Sequence, residues 1–116
     1  MLGEPGVERR RFKRIERTLN VQVGRFTARA DLDWDIVTAY NLSAGGLLFS
    51  YDQPVTPATP LRFKIYTPWT EGPMEAQGIV VRSERPDRRR IAKVAVSFTE
   101  MDPENFNLIQ QIVKQE

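Results

Sequence analysis

The sequence predicts a mainly β protein, a small antiparallel barrel or sandwich followed by one C-terminal helix. Its 116 residues, 41% hydrophobic and 28% charged, correspond to one globular domain. About six segments alternate apolar and polar residues and are separated by turn residues, which is typical of small barrels and sandwiches. After Asp102 the apolar residues recur at helical spacing instead.

The predicted strands cover residues 18–30, 36–40, 47–51, 61–66, 74–83 and 91–99. Gly24 interrupts the first strand and predicts a bend or a β-bulge. The acidic run at residues 31–35 predicts a solvated hairpin tip. Its alternating carboxylates resemble the start of a calcium loop, but Ile36 and Leu42 stand where that loop needs Gly and Glu. Paired catalytic carboxylates are an alternative that nothing else in the sequence supports.

The last segment predicts a helix of about three turns. Asp102 suits the N-cap, and Pro103 suits the first helical position, where its missing N–H costs nothing. The apolar face expected to pack on the strands consists of Phe106, Ile109, Ile112 and Val113.

The composition argues against several function classes. The chain has no cysteine and no histidine, so thiolate chemistry, the commonest general base and the commonest metal ligand are missing. No P-loop is present. We therefore expect no metal, no cofactor and no enzymatic activity. The sequence shows no signal-peptide pattern and no apolar stretch near the roughly 20 residues of a membrane span, so we expect a cytoplasmic protein.

Positive charge is concentrated near the N-terminus. Residues 1–17 carry six basic and three acidic side chains, a balance of +3, whereas the remaining 99 residues carry 11 basic and 12 acidic ones, a balance of −1. A general nucleic-acid binder more often spreads basic charge over a face. A local cluster is better suited to a small anion.

The basic cluster reads Arg9-Arg10-Arg11-Phe12-Lys13-Arg14. One interpretation is a mobile, solvated tail. The other is anion capture, because guanidinium groups fork onto phosphate oxygens and can lie bidentate on the O6/N7 edge of guanine. In the second case the cluster suits a ligand that offers both phosphate and purine.

The turn Asn41-Leu42-Ser43-Ala44-Gly45-Gly46 follows the second predicted strand. It is either a simple hairpin turn or the rigid hydrogen-bonding corner of a binding site. Asn41 offers an amide and Ser43 a hydroxyl, while Gly45 and Gly46 let a ligand approach the backbone.

A second basic cluster extends from the end of the fifth predicted strand into the turn before the last one. It is either a solvated hairpin end or a supplement to a phosphate-binding surface, if this end of the hairpin lies near Asn41. Its members are Arg82, Arg85, Arg88, Arg89 and Arg90.

Together, the first cluster and the turn resemble the two motifs of the PilZ domain family, whose members bind the bacterial second messenger cyclic di-GMP. The first motif, Arg-Arg-x-x-x-Arg, reads Arg9-Arg10-Arg11-Phe12-Lys13-Arg14. The second, Asp/Asn-x-Ser-x-x-Gly, reads Asn41-Leu42-Ser43-Ala44-Gly45-Gly46. Val94-Ala95-Val96-Ser97-Phe98 followed by a terminal helix also resembles the family's closing pattern. The resemblance extends over about residues 8–114.

The resemblance implies a six-stranded antiparallel β-barrel with a C-terminal α-helix. A flexible segment at residues 1–17 would carry the arginine motif, the barrel would occupy residues 18–101, and the helix residues 102–116. The ligand, cyclic di-GMP, would lie on the outer surface of the barrel, and a downstream protein partner would act in motility, exopolysaccharide synthesis or virulence.

The resemblance also implies a role for each motif residue. Arg9, Arg10 and Arg14 would wrap over the ligand and grip its phosphates and guanines. Asn41 and Ser43 would hydrogen-bond a guanine. Gly46 would keep the turn tight and open, and Arg11 and Gly45 are additional candidates for ligand contact.

Two alternatives belong to other classes. A barrel that binds single-stranded nucleic acid needs several aromatic side chains on a basic sheet face. The strands contain few aromatic residues, and the likeliest of them lie at core-facing positions, so no nucleic-acid partner is predicted. The other alternative is a protein-interaction adaptor that binds no ligand.

Overall fold

The computed structural model describes residues 13–27, 29, 31–84 and 91–115. Within these residues the chain forms seven strands and one helix. In chain order the elements are β1 (Arg14–Ile15), β2 (Leu19–Phe26), β3 (Leu32–Ser43), β4 (Gly46–Tyr51), β5 (Pro60–Tyr66), β6 (Met74–Glu84), β7 (Ala92–Met101) and α1 (Pro103–Gln115).

Six of the strands form a closed antiparallel barrel. Around the ring, β2 pairs with β3, β3 with β4, β4 with β7, β7 with β6, β6 with β5, and β5 with β2. Closure gives every strand of the ring a partner on both sides, so none presents an unpaired edge. The prediction of a six-stranded antiparallel barrel with a C-terminal helix is confirmed. The two-residue β1 pairs only with the end of β3.

The core of the barrel is built from the residues that alternate inward along each strand. Phe49 at its centre is fully buried and makes edge-to-face contacts with Tyr51 and Phe63, at centroid distances of 5.6 and 5.9 Å. Such pairs stabilise beyond the burial of their area. The predicted inward face of the β5 segment is confirmed, since Leu61, Phe63 and Ile65 are all buried.

The predicted hairpin tip at residues 31–35 is wrong, because β3 already begins at Leu32. Two carboxylates of this run, those of Asp33 and Asp35, form ion pairs with a cation on β2. The Arg25 guanidinium lies 3.5 Å from a carboxylate oxygen of Asp33 and 3.5 Å from one of Asp35. The cation allows two carboxylates to occupy strand positions that a pattern-based prediction assigns to a turn.

The predicted bend or bulge at Gly24 is also wrong. The register of β2 with both of its neighbours continues through this residue. Gly24 pairs with Trp34, and a Cβ on Gly24 would lie 3.1 Å from atoms of the indole ring. The glycine therefore provides space for Trp34 to lie against the strand.

The predicted flexible segment at residues 1–17 is described only from residue 13. Within it, Arg14–Ile15 forms β1 and the Ile15 side chain is fully buried, so this end of the segment is fixed to the barrel. The division of the chain at residues 17 and 101 stays a prediction.

The predicted helix and its N-cap are confirmed. The Asp102 carboxylate accepts a hydrogen bond from the Glu104 N–H at 2.9 Å, which satisfies one of the free amides of the first turn. The buried face consists of Ile109, Ile112 and Val113. Phe106 is only partly buried against the core. Helix α1, the helix of the described residues, is too short and too polar to cross a membrane.

Tyr51 predicts a pH dependence of stability. Burial raises the pKa of its hydroxyl above the ordinary value of 10.0, and the hydrogen bond that it donates to Asp35 at 2.7 Å raises the pKa further. The pKa of the Tyr51 hydroxyl is higher in the folded than in the unfolded protein. The protonated hydroxyl therefore contributes to the free energy of unfolding in full below about pH 10, and this contribution is lost as the pH rises through the folded-state pKa.

We expect the free energy of unfolding to fall above about pH 10 by up to about 1.4 kcal/mol per pH unit from this residue. Tyr51→Phe should remove this component of the slope, and the exposed control Tyr66→Phe should retain it. Urea unfolding at several pH values measures the slope. Equal slopes in the two variants would contradict the assignment to Tyr51.

Candidate functional site

A β-bulge in β3 determines where the polar residues of the Asn41 turn lie. The register between β3 and β4 shifts between Ala39 and Asn41, so Tyr40 is an extra residue. Before the bulge the odd-numbered residues of β3 face the core, and Ala39 is the last of them. After it, Leu42 faces the core with 1% exposure. The bulge thereby turns Asn41 and Ser43 to the outer surface of the barrel.

Strand β1 places Arg14 beside this turn. Arg14 pairs with Ser43, and Ile15 pairs with Leu42. Residues that pair directly lie on the same face of a sheet. Ile15 and Leu42 are both buried, so Arg14 and Ser43 share the outer face. The first and the second motif therefore meet at this two-residue ladder.

The Ser43 hydroxyl holds the turn in shape. Its oxygen accepts hydrogen bonds from the N–H groups of Gly45 and Gly46, at 3.1 and 3.2 Å. Its proton points to the Gly46 carbonyl at 3.4 Å, a long and therefore weak bond. The Ser43 oxygen already accepts two hydrogen bonds within the turn. Its hydroxyl proton is held only weakly and could be donated to a ligand.

The Asn41 side chain has its hydrogen-bonding groups free. The residue is 7% exposed, yet the described part of the chain provides no hydrogen-bond partner for its amide. A primary amide offers two donors and an acceptor with two lone pairs. Asn41 can therefore recognise a ligand that presents a donor beside an acceptor, as the edge of a purine base does.

Gly46 is required by the neighbouring strand. A Cβ on Gly46 would lie 1.9 Å from the Val96 carbonyl oxygen of β7. On the other side of β7, a Cβ on Gly78 would lie 2.7 Å from the Ser97 carbonyl oxygen. Strand β7 thus packs between two glycines. Packing alone therefore explains a glycine at position 46, because β7 takes up the space of its side chain, and its role toward a ligand stays a prediction.

These residues line one cavity on the barrel, with a volume of about 570 Å³. This volume lies in the range of small-molecule sites. The end of β3 and the start of β4 form one wall, and β6, β7 and the first turn of α1 form the rest. The predicted site residues that line the cavity are Arg14, Asn41, Ser43, Gly45 and Gly46.

Arg82 contributes a second cation to the cavity. A bulge in β6 between Val80 and Arg82 turns this arginine outward. Arg82 Nε lies 2.9 Å from Glu84, and Arg14 Nε lies 3.2 Å from Glu16. All four side chains are at least half exposed, so each pair stabilises the fold little and an incoming anion can displace the carboxylate.

Three predicted site residues and most of the second basic cluster lie outside the described residues. The first group is Arg9, Arg10 and Arg11, and the second is Arg85, Arg88, Arg89 and Arg90. Of the second cluster, Arg82 does line the same cavity as Asn41. Ligand binding by any of these residues stays a prediction.

Sequence reasoning did not assign Glu100 or Phe106 to the site, although both line the cavity. Helical spacing indicated only that Phe106 belongs to an apolar face. Glu100 carried no signal, because its place in the cavity depends on the pairing of β7 with β4, two strands far apart in the sequence.

The PilZ domain family model matches residues 8–115. The chain therefore belongs to the PilZ domain family. No curated protein sequence matches it.

The fold is similar to that of several solved PilZ proteins. MotI/DgrA, the Bacillus subtilis inhibitor of motility, superposes with a TM-score of 0.76 at 20% identity, over 91% of this chain and 50% of that one. The PilZ domain with c-di-GMP of YcgR from Escherichia coli superposes with a TM-score of 0.65 at 16% identity, over 92% of this chain and 90% of that one. The K. pneumonia MrkH complex with c-di-GMP superposes with a TM-score of 0.64 at 11% identity, over 91% of this chain and 51% of that one. This chain thus spans about half the length of MotI/DgrA and of MrkH.

Gly46 provides a test of the site's construction. Gly46→Ala should destabilise the fold by about 3 kcal/mol or more, because the new methyl group meets a backbone carbonyl that cannot rotate away. The matched control is Gly72→Ala, whose Cβ would have no neighbour within 4 Å, and which should change stability by less than about 0.5 kcal/mol. Urea unfolding measures both. A Gly46→Ala protein as stable as the control would contradict the close packing of β4 on β7.

Proposed function

We propose that this chain is a non-enzymatic receptor for cyclic di-GMP, with the ligand held in the cavity on the outer surface of the barrel. One observation carries the proposal: Arg14 and the Asn41 turn, which belong to two separate motifs, line the same cavity. The register of β1 with β3 and the bulge at Tyr40 bring them together.

The chemistry of the cavity suits this ligand. Cyclic di-GMP carries two phosphates and two guanines. The Arg14 and Arg82 guanidinium groups can each fork onto phosphate oxygens or onto the O6/N7 edge of guanine. The free amide of Asn41 and the weakly held proton of Ser43 supply hydrogen bonds to a base. No enzymatic activity is proposed.

The solved relatives support the proposal. The YcgR domain and MrkH were each solved with c-di-GMP. MotI/DgrA is described as an inhibitor of motility. By analogy, we propose that this receptor acts in the bacterial cytoplasm on a downstream protein in motility, exopolysaccharide synthesis or virulence.

In the proposed site, the arginine segment would close over the bound ligand. Arg9 and Arg10 precede β1 closely, and β1 is anchored by the fully buried Ile15. A segment tethered this close to the cavity can fold over a bound ligand and offset the cost of ordering by its contacts with phosphate and guanine. Arg11 and Gly45 are further candidates for contact. Closure over the ligand changes which surface the protein presents to a partner.

Substitution of the motif arginines tests the site. Arg14→Ala and Arg10→Ala should each weaken cyclic di-GMP binding about tenfold or more, since each removes a charge-assisted hydrogen bond to the ligand. Arg29→Ala, in the turn between β2 and β3, is the matched control and should bind as the wild type does. Calorimetry measures the affinity and the stoichiometry together.

Two outcomes would contradict the proposal in different ways. Undiminished binding by both motif variants would show that the ligand binds elsewhere on the chain. A folded wild-type protein that binds no cyclic di-GMP would show that it is not a receptor and would favour the adaptor. Titration of an oligonucleotide at rising salt tests the nucleic-acid alternative, because non-specific binding falls steeply with salt.

A further inference from the structure

A second surface of the barrel lies on strands that contribute little to the cavity. Its outward residues come from β2, from β5 and from the first half of β3. The register aligns them in rungs: Trp34 beside Gly24 and Arg62, and Ile36 beside Gln22 and Lys64. We call this surface the β2–β3–β5 face. Its large side chains are Phe26, Trp34, Ile36, Arg62, Lys64 and Tyr66, none of which lines the cavity.

The β2–β3–β5 face exposes large apolar side chains, with Ile36 within β3 and Phe26 and Tyr66 at the ends of β2 and β5. Ile36 is 80% exposed, Phe26 47% and Tyr66 42%. Phe26 and Tyr66 are therefore strand aromatics that face outward. Their place on one surface depends on which residues of β2, β3 and β5 lie side by side. A contiguous exposed apolar patch on a soluble protein marks a surface that contacts something.

Two cations lie on this face without carboxylate partners. Lys64 Nζ lies 4.6 Å from the centroid of the Trp34 ring, and the Arg62 guanidinium carbon lies 5.7 Å from that of Phe26. Neither cation takes part in an ion pair with a described residue, and the outward positions of β2, β3 and β5 carry no carboxylate. On the neighbouring strand β6, the exposed Glu75 lies opposite Lys64, whereas Gln77 lies opposite Arg62. The rings therefore hold both cations in place, and the Arg62 charge has no carboxylate beside it in the sheet.

We propose that the β2–β3–β5 face is a docking site for an acidic segment of another protein. The carboxylates of the segment would pair with Arg62 and Lys64, and an apolar side chain between them would pack on Ile36 and Phe26. Aromatic and arginine side chains around an apolar centre are the composition of protein interface hot spots. Because the charged side chains of this face are the cations Arg62 and Lys64, an acidic partner complements its charge.

Two other occupants fit the face less well. Single-stranded nucleic acid binds through free ring faces, but one side of the Trp34 ring lies against Gly24 and Lys64 lies over the ring. The most exposed residue, Ile36, offers neither stacking nor charge. A second copy of the chain would place four cations in one interface, and the face itself offers no carboxylate to pair with them.

Selection of peptides tests the proposal without knowledge of the natural partner. The full chain, free of cyclic di-GMP, is used to select from a phage-displayed library of random peptides. The enriched peptides should combine Asp or Glu with an apolar anchor. One of them, made synthetically, should bind the wild type in calorimetry and bind Ile36→Glu and Arg62→Glu at least tenfold more weakly.

Each variant has a matched control outside the face. Ile91→Glu replaces an isoleucine that is 54% exposed, and Lys114→Glu reverses an exposed charge on α1. Both controls should bind the peptide as the wild type does. All four positions are exposed, so thermal unfolding should show four folded proteins. Cyclic di-GMP affinity should be the same in all four, which keeps this test separate from that of the proposed receptor function.

Three results would overturn the proposal: no enrichment of acidic peptides, a selected peptide that binds all four variants alike, or concentration-dependent dimerisation that is lost in Ile36→Glu. Binding of a single-stranded oligonucleotide that is lost in Ile36→Glu and Arg62→Glu would also overturn it and would assign the face to nucleic acid.

Discussion

The extra residue at Tyr40 determines on which side of the barrel the Asn41 and Ser43 side chains lie. With an uninterrupted alternation, both would point into the core, where a buried amide and hydroxyl without partners destabilise a fold. The bulge turns them outward and gives Leu42 the core position. The two-residue strand β1 then pairs with Leu42 and Ser43 and places Arg14 beside them. The β1–β3 side of the candidate site follows from this shift of one residue.

Closure of the barrel constrains the other wall of the cavity. Strand β7 is in close contact with Gly46 of β4 and Gly78 of β6, and this packing brings Arg82 and Glu100 to the cavity. Strand β3 contributes to both proposed surfaces, with Ile36 on the β2–β3–β5 face and the Asn41 turn in the cavity. A ligand in the cavity and a partner on the face would therefore contact the same strand.

Much of the fold could be predicted from the sequence, because alternation and turn residues are local signals. The N-cap at Asp102 and the inward face of the β5 segment depend only on neighbouring residues, and both were predicted. The strand character of Asp33 and Asp35 could not be, because it depends on Arg25 across the sheet. The same holds for Gly24, whose role is set by Trp34. The motifs indicated Asn41 and Ser43, but the bulge that orients them and the presence of Glu100 in the cavity depend on long-range pairing.

The most direct test of the account is a titration of isotope-labelled protein with cyclic di-GMP, followed by nuclear magnetic resonance. We predict that the largest shifts fall on the backbone amides of residues 43–46 and on the side-chain amide of Asn41. The side-chain amide of Gln22, which lies on the β2–β3–β5 face, should keep its position. An unchanged spectrum, or shifts that are largest around Gln22 and Ile36, would contradict the claim that this cavity is the ligand site.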